Sequence, residues 1–248
     1  MVRIAVSGAL GQMGGAVLAQ AATDPEMTIV AGIDPKPADN LPYPLVADIA
    51  DLSQPIDVLV DFSRPSVLPA LLGYANAHGT ALVLGTTGYT DDDRRRISET
   101  ARQCAVFMAP NMSFGVAVLA DLVRRATAAL VPGFDVEICE THHRRKVDAP
   151  SGTALMLADA VAGASTEPMT IMLDRHGARE AHEIGVVALR GGTVAGQHTV
   201  GFYGEDEVIE LRHTAQSRRA LASGALRAVK FVAQKAPGLY TMEQLIAS

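Results

Sequence analysis

The sequence predicts an α/β fold: a doubly wound parallel-sheet domain interrupted by an inserted α+β domain with a mixed, largely antiparallel sheet. Three observations carry that expectation. Short apolar runs alternate with helical patterns up to residue 110, as in a parallel sheet covered by helices. After one long amphipathic stretch the pattern becomes strand-rich, and from 217 to 248 it returns to helix. The expected domains are therefore 1–110 with 217–248, and 111–216, with hinges near Asn111 and Gln216–Ser217.

The first element is the apolar run Ile4, Ala5, Val6 in "RIAVSGALGQMGGAVLAQAA", followed by a glycine turn and a helical pattern. Gly8, Gly11 and Gly14 give G-x-x-G-x-x-G. Glycines suit such a turn because they accept positive φ and let backbone N–H groups approach a pyrophosphate at a helix start. A tight strand-to-helix turn is the plainer reading of the glycines alone. The next strand, "MTIVAGID", ends at Asp34, twenty residues after Gly14. A Rossmann-like domain places an acid there to accept from the adenosine ribose hydroxyls. Asp34 repels a 2′-phosphate and so favours NADH, while Lys36 can attract that phosphate and keeps NADPH open.

The alternation continues with the strand "DVLVDFS", the helix "SVLPALLGYANAHG", the strand "TALVLGTTG", the helix "DDDRRRISETARQ" with acids in its first turn, and the strand "CAVFMAPN". Ligands on such sheets bind at the carboxyl ends of strands, which selects the loops Gly8–Met13, Gly85–Gly88 and Ala109–Met112. "GTTG" offers small side chains and backbone groups suited to a nicotinamide ribose, or is a plain turn.

"NMSFGVAVLADLVRRATAALVPGF" reads as an amphipathic helix with Val116, Leu119, Leu122, Val123 and Leu130 on one face, stopped at Pro132-Gly133. The strands "DVEICETHH", "MTIMLDR", "EIGVVALRGG", "HTVGFYG" and "EVIELRHTA" follow. The last two form an expected hairpin, with inward Val200 and Phe202 facing Ile209 and Leu211. "RRALASGALRAVKFVAQ" and "GLYTMEQLI" close the chain as helix, packed on the first domain.

The formal charge of −6 argues against nucleic-acid and anionic-membrane binding. Two cysteines, Cys104 and Cys139, no leader-like start and no window of about 18 apolar residues point to a cytoplasmic protein. Cations are instead concentrated locally. "ETHHRRKVDAPSGTA" runs His142, His143, Arg144, Arg145, Lys146 into a helix start where Pro150 suits the first turn and Ser151 the cap. Leu155, Ala158, Val161 and Ala162 make that helix's apolar face. The N–H groups of Gly152 and Thr153, the helix dipole and a nearby ammonium together suit a carboxylate, and Gly152 lets a ligand oxygen approach without meeting a Cβ. Arg144 and Arg145 read as solvated or salt-bridged. His142 and His143 form a C-x-x-H spacing with Cys139, but no second Cys/His pair completes a set, so no metal is expected.

This stretch resembles the signature E-x-H-H-x-x-K-x-D-x-P-S-G-T-A of the dihydrodipicolinate reductases, also called 4-hydroxy-tetrahydrodipicolinate reductases. "GALGQMG", "DFSRP", "GTTG", "APNMSFGV" and "GQHTVGFYGEDEVIELRHTAQSR" extend the resemblance along the whole chain. One departure is Leu10, where many members carry a further glycine. The resemblance implies NADH- or NADPH-dependent reduction of a small unsaturated cyclic dicarboxylate to tetrahydrodipicolinate, in the diaminopimelate route of lysine biosynthesis. It implies His142 as proton donor and Lys146 as the second acid–base residue, with His143, Lys146, Ser151, Gly152 and Thr153 binding the substrate carboxylates. It implies dinucleotide contacts from Gly8, Ala9, Leu10, Gly11, Gln12 and Met13, from Asp34, from Gly85, Thr86 and Thr87, and from Ala109, Pro110, Asn111 and Met112. It also implies a homotetramer built through the second domain's sheet. The alternatives are another two-domain NAD(P)-dependent dehydrogenase acting on a small polar or carboxylated substrate, and a silent nucleotide sensor. The first has no need of the cation cluster, and the second no need of the His142–Lys146 pair.

Overall fold

The computed structural model describes residues 1–248. It divides into two compact units, Met1–Phe114 with Arg218–Ser248, and Gly115–Ser217.

The first unit is built on strands β1 (Val2–Ser7), β2 (Met27–Ile33), β3 (Leu45–Val46), β4 (Val58–Asp61), β5 (Ala81–Leu84) and β6 (Ala105–Met108). Helices α1 (Gln12–Ala21), α2 (Leu68–His78) and α3 (Asp91–Thr100) connect them. Strands β1, β4 and β5 have no alternation: Ile4, Ala5 and Val6, Val58, Leu59 and Val60, and Leu82, Val83 and Leu84 are all fully buried. That is the mark of a parallel sheet covered on both faces. All of its pairings are parallel. With the late strand β12 (Gly238–Tyr240), the order is β12-β6-β5-β4-β1-β2-β3. Strand order reverses between β1 and β4, and the crevice beyond their carboxyl ends is where such sheets take ligands.

β12 departs from the expectation. "GLYTMEQLI" is not one helix: Gly238, Leu239 and Tyr240 pair with Ala105, Val106 and Phe107, and only Met242–Ile246 is helical (α7). Three residues are too few to show a period, and the open edge of β6 recruits them. Thr241 then caps α7, its N–H and hydroxyl meeting Gln244 Oε1 at 2.8 and 2.6 Å. The long closing helix α6 (Arg219–Val232) buries Ala222, Ala225, Leu226 and Val229 in this unit.

The second unit contains α4 (Phe114–Leu130, from Gly115 on), β7 (Asp135–His142), α5 (Gly152–Ala164), β8 (Thr170–Met172), β9 (Glu183–Arg190), β10 (Gly196–Tyr203) and β11 (Val208–Ala215). Its sheet runs β11-β10-β7-β9-β8. The sheet is mixed: β11/β10 and β10/β7 are antiparallel as expected, whereas β7/β9 and β9/β8 are parallel. One face packs Val136, Ile138, Ile184, Val186, Val200 and Phe202 against α4 and α5.

The hairpin register is as the alternation predicts, Val200 opposite Leu211 and Phe202 opposite Ile209. β11 is an edge strand, so Ile209 stays exposed. On α4, Val116, Leu119 and Val123 are buried but Leu122 is exposed, because it lies off the stripe that meets the sheet. On α5, Ala158 and Val161 are buried as expected. Leu155 and Ala162 are only half-buried, and Leu157 is the large side chain driven into the core. Pro150 stands before the cap, not in the first turn, since the helix begins at Gly152.

Candidate active site

In the first unit, the chain turns sharply at the carboxyl end of β1. Gly8 has φ +77°, and a Cβ there would sit 2.5 Å from the Phe62 carbonyl oxygen, at the end of β4. A Cβ on Gly14 would sit 2.1 Å from the Gly8 carbonyl oxygen, so α1 can press against the turn only as glycine. α1 begins after Gly11 with no side-chain cap, and Leu10, Gly11 and Gln12 are exposed while Ala9 is buried and Met13 half-buried. Asp34 follows β2, and its carboxylate accepts from Leu10 N–H and Lys36 N–H, each at 3.1 Å. A carboxylate has about four acceptor positions, so capacity remains for ribose hydroxyls. A cradle that a Cβ would fill, uncapped helix amides and an acid on the neighbouring strand fit a dinucleotide.

The loops after β4 and β5 hang on a residue that sequence reasoning did not single out. Asp61, the last residue of β4, is completely buried. Its carboxylate accepts from Ser63 N–H at 3.2 Å, Thr86 hydroxyl at 2.6 Å, Tyr89 hydroxyl at 3.3 Å and the Ser63 hydroxyl. Burial, and then the charge of Asp61, push the Tyr89 phenol strongly up. Thr86 is thus buried and committed to holding the loop, Gly85 donates to the Asp61 carbonyl at 2.9 Å, and Thr87 is exposed. Gly85 leaves room for the Phe62 ring, which a Cβ would approach to 2.3 Å and displace. At the end of β6, Ala109 and Met112 are buried, Pro110 is exposed, and Asn111 Oδ1 accepts from Ser113 N–H at 2.8 Å. An acid ending an otherwise apolar strand was the available signal for Asp61.

In the second unit, the alternation of β7 turns Glu140 and His142 inward and Cys139 to the opposite face, so Cys139 and His142 do not converge. Glu140 is completely buried. Its Oε2 accepts from His142 Nδ1 at 2.5 Å and Arg190 Nη1 at 2.9 Å. Its Oε1 accepts from Ser151 N–H at 3.0 Å and Arg190 Nη2 at 2.9 Å. Burial alone would raise this carboxyl, but Arg190, His142 and the Ser151 N–H outweigh it and hold it below the usual range. Ser151 caps α5, its hydroxyl accepting from Ala154 N–H at 3.2 Å and meeting His198 Nε2 at 3.0 Å. The His142 and His198 rings meet edge to face with centroids 5.1 Å apart. Burial, then the neighbouring His142, push His198 down to about 4, so it is neutral at pH 7.

Lys146 pairs with Asp148 at 2.9 Å, and its N–H donates to the His143 carbonyl at 3.1 Å. The ammonium holds Asp148 below the usual carboxylate range. His143 is half-buried with its Nδ1 out of reach of any protein partner, and Arg144 and Arg145 are exposed. A Cβ on Gly152 would meet nothing within 4 Å, so the start of α5 opens onto free space, with Thr153 beside it half-buried. His142, Lys146, Ser151 and Gly152 therefore share one connection. Glu140, Arg190 and His198, which hold it, were missed as functional residues.

Two family models cover the chain end to end. "Dihydrodipicolinate reductase, N-terminus" matches residues 2–112, and "Dihydrodipicolinate reductase, C-terminus" matches residues 115–246. The chain is 41% identical to a 4-hydroxy-tetrahydrodipicolinate reductase of Caldanaerobacter subterraneus, covering 99% of this chain and 98% of that one. It is 40% identical to the reductase of the same name from Clostridium novyi, covering 100% and 99%. In fold it is similar to the dipicolinate-bound dihydrodipicolinate reductase of Paenisporosarcina sp. TG-14, with a TM-score of 0.82, 24% identity and 97% of each chain covered. A myo-inositol dehydrogenase of Corynebacterium glutamicum shares the fold more distantly, with a TM-score of 0.63, 15% identity and coverage of 96% and 90%.

Proposed function

Because this chain belongs to the dihydrodipicolinate reductase family, we infer that it divides its work between two units, one for the dinucleotide and one for the dicarboxylate. It is an NAD(P)H-dependent oxidoreductase that reduces 4-hydroxy-tetrahydrodipicolinate to tetrahydrodipicolinate in lysine biosynthesis. Met1–Phe114 with Arg218–Ser248 holds the dinucleotide, and Gly115–Ser217 holds the substrate and carries the oligomer interface. Gly8 to Met13 cradle the pyrophosphate and Asp34 takes the ribose hydroxyls. Gly85 to Thr87 and Ala109 to Met112 flank the nicotinamide end. NADH and NADPH both serve, with Lys36 beside Asp34 giving the 2′-phosphate a partner.

When bound, the reduced nicotinamide supplies the hydride. The protein does the rest. Reduction of a conjugated imine puts negative charge on the ring, which calls for a proton donor and fixed positive charge. His142 presents Nε2 as that donor, and Lys146 is the second acid–base group. Lys146, His143, Ser151 and the Gly152–Thr153 helix start bind the substrate carboxylates. The observation that carries this reading is the buried Glu140–His142 pair, 2.5 Å apart, on the same short connection as Lys146 and the open face of Gly152.

The outer face of the second sheet exposes Cys139, Val187, Leu189, Tyr203 and Val208, an apolar patch suited to homotetramer formation. Sedimentation of the full chain checks it: a tetramer is expected, and a monomer at micromolar concentration rejects it. The protein works in the cytoplasm, a reading supported by its two free cysteines. The activity itself is tested by adding the freshly prepared cyclic dicarboxylate to enzyme and following NADH and NADPH oxidation. Oxidation should depend on that substrate. Turnover of an inositol or an amino acid in its place would favour the other dehydrogenase class.

A further inference from the structure

Glu140 is the most completely engaged side chain of the second unit. Its two oxygens accept four hydrogen bonds, which fills the capacity of a carboxylate. Two of the four come from the fork of Arg190, a bidentate geometry that fixes the plane of the carboxylate as well as its position. Arg190 Nη2 also donates to the Asp148 carbonyl at 2.6 Å, and Nη1 to the Leu189 carbonyl at 2.7 Å. One guanidinium on β9 thereby ties the acid on β7 to the loop that carries Lys146. Ser151 N–H ties the same acid to the start of α5.

We infer that Glu140, clamped by Arg190, is a positioning residue of the reaction: it fixes His142 with its hydrogen on Nδ1, so that the transferable proton sits on Nε2. This rests on His142 being the proton donor in the reading above. The argument is one of donors and acceptors. An ionised carboxylate can only accept, so the 2.5 Å contact requires Nδ1–H. Nε2 is then the nitrogen left for the substrate. It lies over Gly196, where a Cβ would stand 3.0 Å away.

Several charged and titratable groups surround the ring. Glu140 on β7 holds Nδ1, and the Arg190 fork on β9 holds Glu140. His198 on β10 is neutral at pH 7, with His213 opposite it on β11. Lys146 and Asp148 on the connection are paired with each other. Glu140 is thus the one acidic group in direct contact with the ring, as in other sites where a buried carboxylate orients a histidine and fixes its tautomer.

The test uses the full-length protein labelled with nitrogen-15 at histidine, with the His142 signals assigned by loss in His142→Gln. In the free enzyme His142 should carry hydrogen on Nδ1 whenever it is neutral. Glu140→Gln removes the charge while keeping the shape. It should lower kcat about 10²-fold or more, with NADH affinity unchanged, and let the neutral ring carry its hydrogen on Nε2. Arg190→Lys keeps charge but loses the fork, and should lower kcat less while weakening the Nδ1–H signal. A wild-type His142 with bare Nδ1 and hydrogen on Nε2 overturns the inference. A folded Glu140→Gln enzyme with kcat and the Nδ1–H signal in place and only a lower thermal midpoint also overturns it, because that is a purely structural role. If Glu140→Gln does not fold, the wild-type tautomer and Arg190→Lys decide the matter. The tautomer is read without substrate, so this result stands apart from any failure of the activity assay.

Discussion

Each unit contains one fully buried carboxylate near the carboxyl end of a strand, and the two are satisfied in opposite ways. Asp61 in the first unit accepts only from neutral donors: Ser63 through N–H and hydroxyl, the Thr86 hydroxyl and the Tyr89 hydroxyl. Glu140 in the second accepts from a guanidinium and an imidazole, with a single backbone N–H besides. Neutral donors draw two loops onto one point without adding positive charge. Charged donors do something different: they link the acid to a group that exchanges protons and compensate its burial. Under the proposed roles, a dinucleotide loop needs only fixed shape and a proton donor needs a fixed tautomer, and the two carboxylates differ in just that way.

The largest effect that sharpens the contrast lies in the reaction itself. Lys146→Ala should lower turnover about 10²- to 10⁴-fold and leave NADH affinity intact, as measured by kcat and by cofactor titration. Loss of cofactor affinity with turnover retained at saturation would break the assignment of Lys146 to the substrate half. Next come the two acids. Glu140→Ala strands a buried guanidinium and should cost about 3–5 kcal/mol of unfolding free energy. Asp61→Ala strands hydroxyls and an N–H and should cost about 1–3 kcal/mol. Urea titrations giving equal losses would erase the distinction between the two sites.

The third effect is a pH window. His198 is neutral in both states above about 6.5, so its contribution is complete there. As pH falls through 6.5 the unfolded chain takes up a proton that the folded one refuses until about 4, and about 3 kcal/mol of stability is lost across that interval. Glu140, held below the usual carboxylate range, has a lower window: its contribution is present above the unfolded value and is lost as pH falls through the folded one. Thermal midpoints of His198→Gln should therefore fall less between pH 6.5 and 4 than those of the wild type; parallel curves would remove His198 from the account. The smallest effect is at Asp34. Asp34→Ala should weaken NADH about tenfold and NADPH less, and equal losses in both titrations would take away the ribose contact.

How legible all this was depended on the distance over which each feature is encoded. The parallel sheet, the glycine turn, the Gly14–Asp34 spacing and the Ser151 cap are local, and each was visible in a short window. β12 was not, because three residues joining a sheet edge have no period of their own. Leu122 misled for a related reason: periodicity nominates a face, but the partner surface decides how wide the buried stripe is. The connection proposed to hold substrate was visible as a cluster of cations before a helix start. Its support was not, since Arg190 lies 50 residues from Glu140 and His198 lies 47 from Ser151.

From its sequence alone the chain determined its longer elements and their order, because side-chain period, turn glycines and helix caps act between neighbours along the backbone. Tertiary structure decided which acid is buried, which cation meets it and which histidine loses its charge. Those outcomes depend on desolvation and on hydrogen-bond partners that only folding brings within 3 Å.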